Sequence, residues 1–340
     1  MGKVPSLNLL TCNWHTGYLY NLSKIGHQWL VMGEWQEWNR PMPANYKLGT
    51  WDTARRDFAR FDAVIGHDVR HDLGRLLPYC LRYHKPYIQV IHGRRARSGF
   101  SRSRIRRFAK QLYSSAVLRP LVVLGLMRVV FISPYARSDW GFDGTTIDQG
   151  IPLDEMEAYQ GTERSLLVVG NTLHREHFAF DELMEIRKQV PVTVVGENPH
   201  VPGSRPSKNW DDLRSLYSRH RAYLNLTREP EAGHNLALLE AMASGMPAIA
   251  LKHPFTPIRD GENGFLVENV SQAVERAKQL LGNDELARSL GRCAQDTVER
   301  DFSVSAFRER WSELLADSIG AALSRRAVGS GAGKGETNRF

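Results

Sequence analysis

Short apolar runs alternate with longer helical segments along most of the chain, and this alternation limits the fold more than any other feature. In the first half, Gly26 ends a helix that lies between two such runs. Continuous apolar runs are typical of strands in a parallel sheet that helices cover on both faces. The predicted strands of the first half are residues 7–11, 28–32, 63–66, 87–92 and 129–133. The pattern predicts a doubly wound parallel α/β sheet.

The same alternation restarts after a polar linker over residues 150–161 that contains Pro152. Beyond it, strands are predicted at 165–170, 191–196, 222–227 and 248–251, and helices at 178–189, 213–219, 235–244, 270–281, 284–299 and 304–322. Two Rossmann-like halves of this kind form a ligand cleft between them. The predicted domains are residues 1–155 and 156–302, followed by a helix over 303–324 that packs back on the first domain and a disordered tail over 325–340.

Composition fits an ordinary globular protein, with 42% hydrophobic and 24% charged residues in 340. This length suffices for two cores of roughly 150 residues each. Cys12, Cys80 and Cys293 match neither a disulfide framework nor a zinc ribbon, which favours a reducing cytoplasm. No apolar run approaches the roughly 20 residues that a membrane-spanning helix needs.

The net charge of +8 is concentrated in residues 94–110. The basic residues there are Arg94, Arg95, Arg97, Arg102, Arg104, Arg106, Arg107 and Lys110, with no acid among them. Removing these eight from the 45 basic residues leaves 37, which equals the 37 acids, so this segment carries the whole imbalance.

The basic segment has three interpretations. Ile105, Phe108 and Leu112 recur at helical spacing between Arg104, Arg106, Arg107 and Lys110. Such an amphipathic helix can rest on anionic lipid or contact an acceptor, and Trp35, Trp38 and Trp51 can add interfacial contacts. A solvated face is the second interpretation. Nucleic-acid binding is the least favoured, because it rests on charge without a recognition motif.

A single carboxylate, Glu240, stands in an apolar helix of the second half, among leucine, alanine and methionine residues. Burial of an unpaired carboxylate is costly, so Glu240 needs a partner. The two hydroxyls of a ribose would serve, and so would a cation such as Lys252 or simple exposure to water. At the start of this helix, which Asn235 can cap, free amides form a site for an anion such as a diphosphate.

These residues resemble the retaining glycosyltransferases of GT-B fold, the large family-four (group 1) type. The resemblance is carried by Leu-Leu-Glu-Ala-Met-Ala-Ser-Gly-Met-Pro over 238–247, with an acidic Gly-containing loop before it and Arg-Asp-Gly-Glu-Asn-Gly-Phe-Leu over 259–266 after it. Gly17, Gly26-His27, His92-Gly93 and Asp148-Gln-Gly-Ile151 support it. It covers most of residues 7–320, more strongly in the second half.

The resemblance implies roles for individual residues. Glu240 would bind the ribose, and the amides around Asn235 and Leu236 would meet the diphosphate. Gly17 would let a loop of the first domain approach the donor or acceptor. His92 would face the donor sugar, where a neutral imidazole can hydrogen-bond a hydroxyl or the leaving phosphate.

The chain departs from the family in two places. The family usually has a Glu eight residues before the ribose-binding one, where this chain has Ala232. Either Glu231 reaches the sugar through a bulge beside Gly233, or His234 or Asn235 takes the role. After the strand that ends at Gly170, the family commonly has an Arg and a Lys that neutralise the diphosphate. Here Asn171 replaces the Arg, and Arg175 lies about one place from the Lys.

A metal site is weakly indicated. No Asp-x-Asp motif occurs, which argues against the metal-dependent single-domain glycosyltransferases and for metal-independent transfer. His67-Asp68 with His71-Asp72, and His174 with His177, have metal-compatible spacing but show no third ligand.

The sequence therefore predicts a cytoplasmic enzyme, peripheral on the inner face of the cell membrane. It would move a sugar from a UDP- or GDP-sugar to a hydroxyl of a glycan or lipid-linked acceptor in polysaccharide or glycolipid assembly, without a cofactor. A nucleotide-sugar epimerase of the same fold and a non-catalytic nucleotide-sugar-binding subunit are the alternatives.

Overall fold

The structure, a computed structural model, describes residues 6–37, 39–93, 112–175, 178–228 and 234–331. The chain divides into two compact units. The first comprises Met1–Trp35, Met42–Asp148 and Phe307–Phe340, and the second Gln36–Pro41 and Gln149–Ala306. The division falls after Asp148 rather than after residue 155, and the C-terminal helix joins the first unit from Phe307.

The first unit is built on a seven-stranded parallel sheet in the order β3-β2-β1-β4-β5-β6-β7. Its strands are β1 (Asn8–Cys12), β2 (Gln28–Met32), β3 (Tyr46–Gly49), β4 (Ala63–Gly66), β5 (Tyr87–Ile91), β6 (Arg128–Phe131) and β7 (Thr145–Thr146). Its helices are α1 (Thr16–Ser23), α2 (Trp51–Arg56), α3 (His71–Arg82), α4 (Arg119–Val123) and α5 (Pro134–Trp140), with a 3-10 turn at Phe58–Arg60 and a π-helical turn at Ser114–Leu118.

The strand order of this sheet reverses beside β1. Leu10 pairs with Leu30 of β2 on one side and with Val64 of β4 on the other. In open parallel sheets, ligands bind beyond the carboxyl ends of the strands at such a reversal. The segments after β1, β4 and β5 are therefore where a site is expected.

The second unit has a five-stranded parallel sheet in the order β12-β11-β10-β8-β9. Its strands are β8 (Glu163–Val169), β9 (Val192–Val195), β10 (His220–Asn225), β11 (Ala248–Leu251) and β12 (Gly264–Val267). The helices are α6 (Phe180–Arg187), α7 (Trp210–Arg219), α8 (Leu236–Ala243), α9 (Val270–Gly282) and α10 (Asp284–Asp301), and a 3-10 turn lies at Leu153–Glu155. The last helix, α11 (Val304–Gly331), starts in this unit and belongs to the first unit from Phe307. Here the order reverses between β8 and β10.

Both faces of the second sheet are covered. Along β8, Leu166 and Val168 belong to one apolar cluster and Leu167 to the other. Along β10, Leu224 and Tyr223 divide in the same way. This arrangement explains the short apolar runs inside these strands, residues 166–169 of β8 and 222–224 of β10.

A glycine contact holds the loops after β8 and β9 together. Gly196 has φ +133°, and a Cβ on it would lie 2.2 Å from the carbonyl oxygen of Gly170. Asn198 strengthens the same junction, because its Nδ2 donates to that oxygen at 2.7 Å. The backbone at the carboxyl end of β8 is thus fixed by its neighbour.

The predicted fold class is confirmed, since two parallel α/β sheets are present. The short β3, α2 and β7 were not predicted, because they are short and contain polar residues, and β12 was not separated from the loop motif that precedes it. The C-terminal helix runs to Gly331, past residue 325 where the predicted tail begins. Within the described residues, no helix is both long and apolar enough to span a bilayer.

Candidate functional site

Glu240 lies in the second turn of α8, the first helix after β10 along the chain. The side chain of Asn235 caps this helix by accepting from the backbone N–H of Leu238 at 3.1 Å. Leu239 makes the first intrahelical bond, to the carbonyl oxygen of Asn235. The amides that precede it, including that of Leu236, belong to the helix end that attracts anions.

The carboxylate of Glu240 is buried, with only 4% of the residue exposed. One oxygen, Oε1, accepts from Nη2 of Arg40 in a buried ion pair. The other, Oε2, accepts from the hydroxyl of Tyr217 at 3.0 Å. Burial raises the pKa of Glu240, while Arg40 and Tyr217 act in the opposite direction.

Arg40 reaches this position from the short segment Gln36–Pro41, which belongs to the second unit. Its guanidinium lies 3.6 Å from the ring centroid of Trp210 at the start of α7. Arg40 itself is 3% exposed. The cation beside Glu240 is therefore Arg40 rather than Lys252, which pairs with the exposed Glu268 at 2.9 Å.

Asn171 follows the carboxyl end of β8. Its Oδ1 accepts from the backbone N–H of Glu197 at 2.8 Å and so ties the loop after β8 to the loop after β9. Arg175 is exposed four residues further on. The structure thus places a bridging amide and a solvent-facing cation at the β8 side of the sheet reversal.

His234 stands immediately before the Asn235 cap. Its ring packs edge-on against Phe302 with centroids 4.9 Å apart. Burial lowers the pKa of His234 to about 4, with a further contribution from His253. The side chain is therefore neutral at physiological pH. Glu231, Ala232 and Gly233 lie outside the described residues.

In the first unit, His92 directly follows β5. It contacts His67, which in turn contacts Thr11. Its Nε2 lies 2.8 Å from Nδ1 of His67, the residue after β4. Nε2 of His67 lies 2.9 Å from Oγ1 of Thr11 on β1. The ring of Tyr18 packs edge-on against His92, with 4.5 Å between centroids. Gly17 precedes Tyr18 in the buried first turn of α1.

Both histidines of this trio are neutral at physiological pH. Burial lowers the pKa of His67 to about 4. Burial, and then the proximity of His67 and His15, lowers the pKa of His92 well below its usual range. Neither ring is therefore a cation available to an anionic ligand.

A pocket of about 440 Å³ adjoins these histidines. Besides His67 and His92, it is lined by Trp14, Asp68, Val69, Arg70, Ile91, Gly93, Tyr113 and Trp140. Aromatic faces beside a few charged groups suit a polar ring with an apolar face, such as a sugar.

The carboxylates whose spacing in the sequence is compatible with a metal have backbone partners. Asp72 accepts from the amides of His67 and Asp68 at 2.7 and 2.9 Å, and Asp68 from those of Arg70 and His71. Over the described ranges, no three His, Cys, Asp or Glu side chains form a possible metal site.

Of the other residues singled out in the sequence, the structure describes some and leaves the rest outside the described ranges. His174 packs edge-on against His200, with centroids 4.7 Å apart. Trp35 and Trp51 pack inside the first unit, against Tyr46 and Tyr79. His177, Trp38 and the basic residues Arg104, Arg106, Arg107 and Lys110 lie outside the described residues.

Sequence reasoning missed Arg40, Tyr217, Thr11 and the role of His67. Arg40 is 200 positions from Glu240, and no local pattern links them. His67 and His92 gave a usable signal, because both follow strands that are adjacent in the sheet.

Comparison with known proteins supports the fold and the second unit most strongly. Residues 153–283 match the family of glycosyl transferases group 1. The structure of Anabaena HepE in complex with UDP and glucose superposes with a TM-score of 0.71 at 12% identity, covering 91% of this chain and 99% of HepE.

Two curated relatives match over a shorter region. Poly(ribitol-phosphate) alpha-N-acetylglucosaminyltransferase of Staphylococcus aureus is 32% identical over 88 residues, which are 24% of this chain and 18% of the relative. Trehalose synthase of Pyrococcus horikoshii is 36% identical over 90 residues, 26% of this chain and 21% of the relative. The chain therefore carries a segment similar to group 1 glycosyltransferases on a GT-B fold.

Proposed function

We propose that this protein is a metal-independent, retaining glycosyltransferase that moves a sugar from a nucleotide diphosphate to a hydroxyl group. The observation that carries the proposal is the buried Glu240 in α8, at the sheet reversal and inside the region that matches group 1 glycosyltransferases. A fully buried carboxylate is costly unless hydrogen-bond donors surround it. The two ribose hydroxyls of a nucleotide are such donors.

Arg40 and the ribose compete for the same carboxylate. Arg40 occupies Oε1 of Glu240 and the Tyr217 hydroxyl occupies Oε2. Each oxygen can accept a second hydrogen bond, but a ribose lying against Oε1 would need the space that the Arg40 guanidinium fills, so in this proposal Arg40 withdraws while Tyr217 remains on Oε2. Donor binding would exchange one buried partner of Glu240 for another.

The diphosphate would lie at the amino end of α8, against the amides around Asn235 and Leu236. Arg175 is the exposed cation on the β8 side, and it would neutralise the charge that the leaving diphosphate gains. We favour a uridine nucleotide, because HepE, which shares the fold, is described with UDP and glucose. Guanosine nucleotides belong in the same test.

During transfer, the bond between the anomeric carbon and the phosphate oxygen would break as the sugar becomes oxocarbenium-like. The acceptor oxygen would bond to the same face of the sugar, and its proton would pass to the departing phosphate oxygen. His92 would hydrogen-bond the donor, and Glu231 would touch the transferred sugar. Side-chain cations and helix amides would do the electrostatic work that other glycosyltransferases assign to a metal.

The acceptor would be a glycan or a lipid-linked sugar in the assembly of a cell-surface polysaccharide or glycolipid. Among the curated relatives, the Staphylococcus aureus protein is named for transfer to poly(ribitol-phosphate). The basic segment over residues 94–110 would bring the enzyme to the inner face of the cell membrane, since clustered arginines bind anionic lipids.

Thermal-shift and calorimetric titration with UDP, GDP and UDP-sugars tests the assignment of Glu240. The stabilisation of the wild type at a fixed nucleotide concentration should rise with the logarithm of its affinity, and Glu240→Gln should lose most of the response. Glu268→Gln is the matched control, because Glu268 is an exposed carboxylate that pairs with Lys252. Equal nucleotide affinity in wild type and Glu240→Gln would overturn the assignment.

Product analysis separates transfer from the two alternatives. UDP release that requires an added acceptor supports a transferase. Conversion of the nucleotide sugar without any acceptor would indicate an epimerase. Nucleotide binding without turnover across a panel of acceptors would indicate a binding subunit.

A further inference from the structure

Three polar side chains form a hydrogen-bonded chain across the sheet reversal of the first unit. Thr11 on β1 contacts His67 after β4, and His67 contacts His92 after β5, at 2.9 and 2.8 Å. Thr11 is 0% and His67 3% exposed, whereas His92 is half-buried and lines the pocket. Thr11 and His67 are therefore closed to water, whereas His92, at the end of this row of hydrogen-bonded side chains, borders a cavity.

Each of the two contacts carries one hydrogen, because both imidazoles are neutral and each neutral ring has one N–H. The hydrogens can run in either direction along the chain. In one direction Thr11 donates to His67, and His67 donates to His92. In the other direction His92 donates to His67, and His67 donates to Thr11.

Hydrogen-bond accounting decides between the directions. Within the described part of the chain, the Thr11 hydroxyl has His67 Nε2 as its hydrogen-bond partner. If Thr11 accepted from that nitrogen, its own buried O–H would lack an acceptor, which costs about 1–3 kcal/mol. Thr11 therefore donates, and the hydrogen of His67 resides on Nδ1, the atom that faces His92.

We propose that Thr11 and His67 are positioning residues that hold His92 as the tautomer protonated at Nδ1. His92 Nε2 accepts from His67, so its single hydrogen must lie on Nδ1. His92 then offers a hydrogen-bond donor to an oxygen of the ligand, either a sugar hydroxyl or a phosphoryl oxygen, and it is not a base. The consequence for catalysis rests on the proposed function, whereas the tautomer does not.

Nitrogen NMR of the full chain labelled with ¹⁵N-histidine tests the tautomer without any substrate. At pH 7.5, long-range ¹H–¹⁵N correlations should show His92 protonated at Nδ1 and unprotonated at Nε2, with the signals assigned by their loss in His92→Asn. Thr11→Val removes the hydroxyl at nearly constant shape and should give a mixture of tautomers. Thr11→Ser keeps the hydroxyl and should retain the wild-type pattern.

Two results would overturn the proposal. One is a wild-type His92 protonated at Nε2, and the other is a His92 pattern in Thr11→Val that equals the wild-type pattern. In transfer assays, Thr11→Val should lower kcat by roughly tenfold or more with little change in donor KM, as loss of an orienting partner does. A wild type that transfers no sugar would refute the proposed function but leave the NMR result valid.

Discussion

Replacing Arg40 with methionine isolates the charge that Glu240 needs. Methionine keeps an apolar contact with Trp210 but removes the guanidinium, which lies 3.6 Å from that ring and pairs with Glu240. The two side chains are 3% and 6% exposed. Breaking a pair buried to this degree leaves an uncompensated charge and costs about 3–5 kcal/mol.

The melting temperature gives the first measurement. For a domain of 150–250 residues, such as the second unit, a loss of 1 kcal/mol lowers the melting temperature by about 2–4 °C. Arg40→Met should therefore melt about 6–20 °C below the wild type. Arg214→Met is the matched control, since Arg214 also faces Trp210 but pairs with the exposed Asp211. It should change stability by less than about 1 kcal/mol.

The pH dependence of the same variant follows from the sign of the pKa shift. Burial raises the pKa of Glu240, and loss of Arg40 removes a contribution that opposes this. A group with a raised folded-state pKa loses stability as pH rises from its unfolded value through the folded one. The deficit of Arg40→Met should therefore be smaller at pH 5 than at pH 8.

Nucleotide binding supplies the result that would refute this reasoning. If Arg40 competes with the ribose, UDP should bind Arg40→Met more tightly than the wild type and should restore more of its lost stability. Weaker UDP binding by a folded Arg40→Met would show that Arg40 belongs to the nucleotide site. A variant as stable as the wild type at pH 8 would refute the buried ion pair itself.

Three further predictions concern the loops and the histidines. Gly196→Ala should destabilise the protein by about 1–3 kcal/mol in urea unfolding. The loss should exceed that of Gly203→Ala, because Gly203 also has a positive φ but no atom lies within 4 Å of the added Cβ. Equal losses would contradict the contact with Gly170. Asn235→Ala should cost about 1 kcal/mol by loss of the α8 cap, as should Asn269→Ala at α9, but only the former should weaken UDP binding. The pKa of His67 falls from 6.5 to about 4 on folding, so the free energy of unfolding should decrease as pH drops from 6.5 to about 4. In His67→Asn the decrease should be smaller. Parallel pH curves for the two proteins would contradict the buried neutral state.

The fold was predictable because parallel strands buried on both faces leave a strong, local signal. Runs such as 63–66 and 248–251 contain no polar side chain, and helix ends are marked by residues such as Gly245, which adopts φ +88°. Register and strand order are not local properties. They depend on which apolar faces meet, so β3 and β12 emerge only from the assembled sheets.

The parts of the candidate site that could be predicted from the sequence are those that lie within one short segment of the chain. The run from Asn235 to Glu240 combines a cap, free amides and a carboxylate within two turns, and all of these were identified from spacing. The partner of Glu240 was not, because Arg40 comes from a distant segment whose sequence has no distinguishing pattern. The need for a partner followed from electrostatics, but its identity required the tertiary structure.

His67 and His92 lie between these cases. Each was noted separately, His67 for a metal-compatible spacing with Asp68 and His92 for its place at a strand end. Once β4 and β5 are recognised as neighbours, their carboxyl ends must meet, and the two imidazoles become partners. The carboxylates that suggested a metal instead hold the turn that presents His67, since Asp72 accepts from its backbone amide.

The same physical requirement operates in both units and gives the proposed chemistry its constraints. A polar group buried at a sheet reversal needs a partner in every state of the protein. For Glu240 we propose an exchangeable partner, since Arg40 on its short segment would give way to ribose hydroxyls while Tyr217 stays. For His92 the partner is held in place, because Thr11 lies on β1 and His67 directly follows β4, and both side chains are buried. In the proposed function, exchange would suit Glu240, which would bind and release a nucleotide at each turnover, and rigidity would suit His92, which would present one hydrogen in one direction.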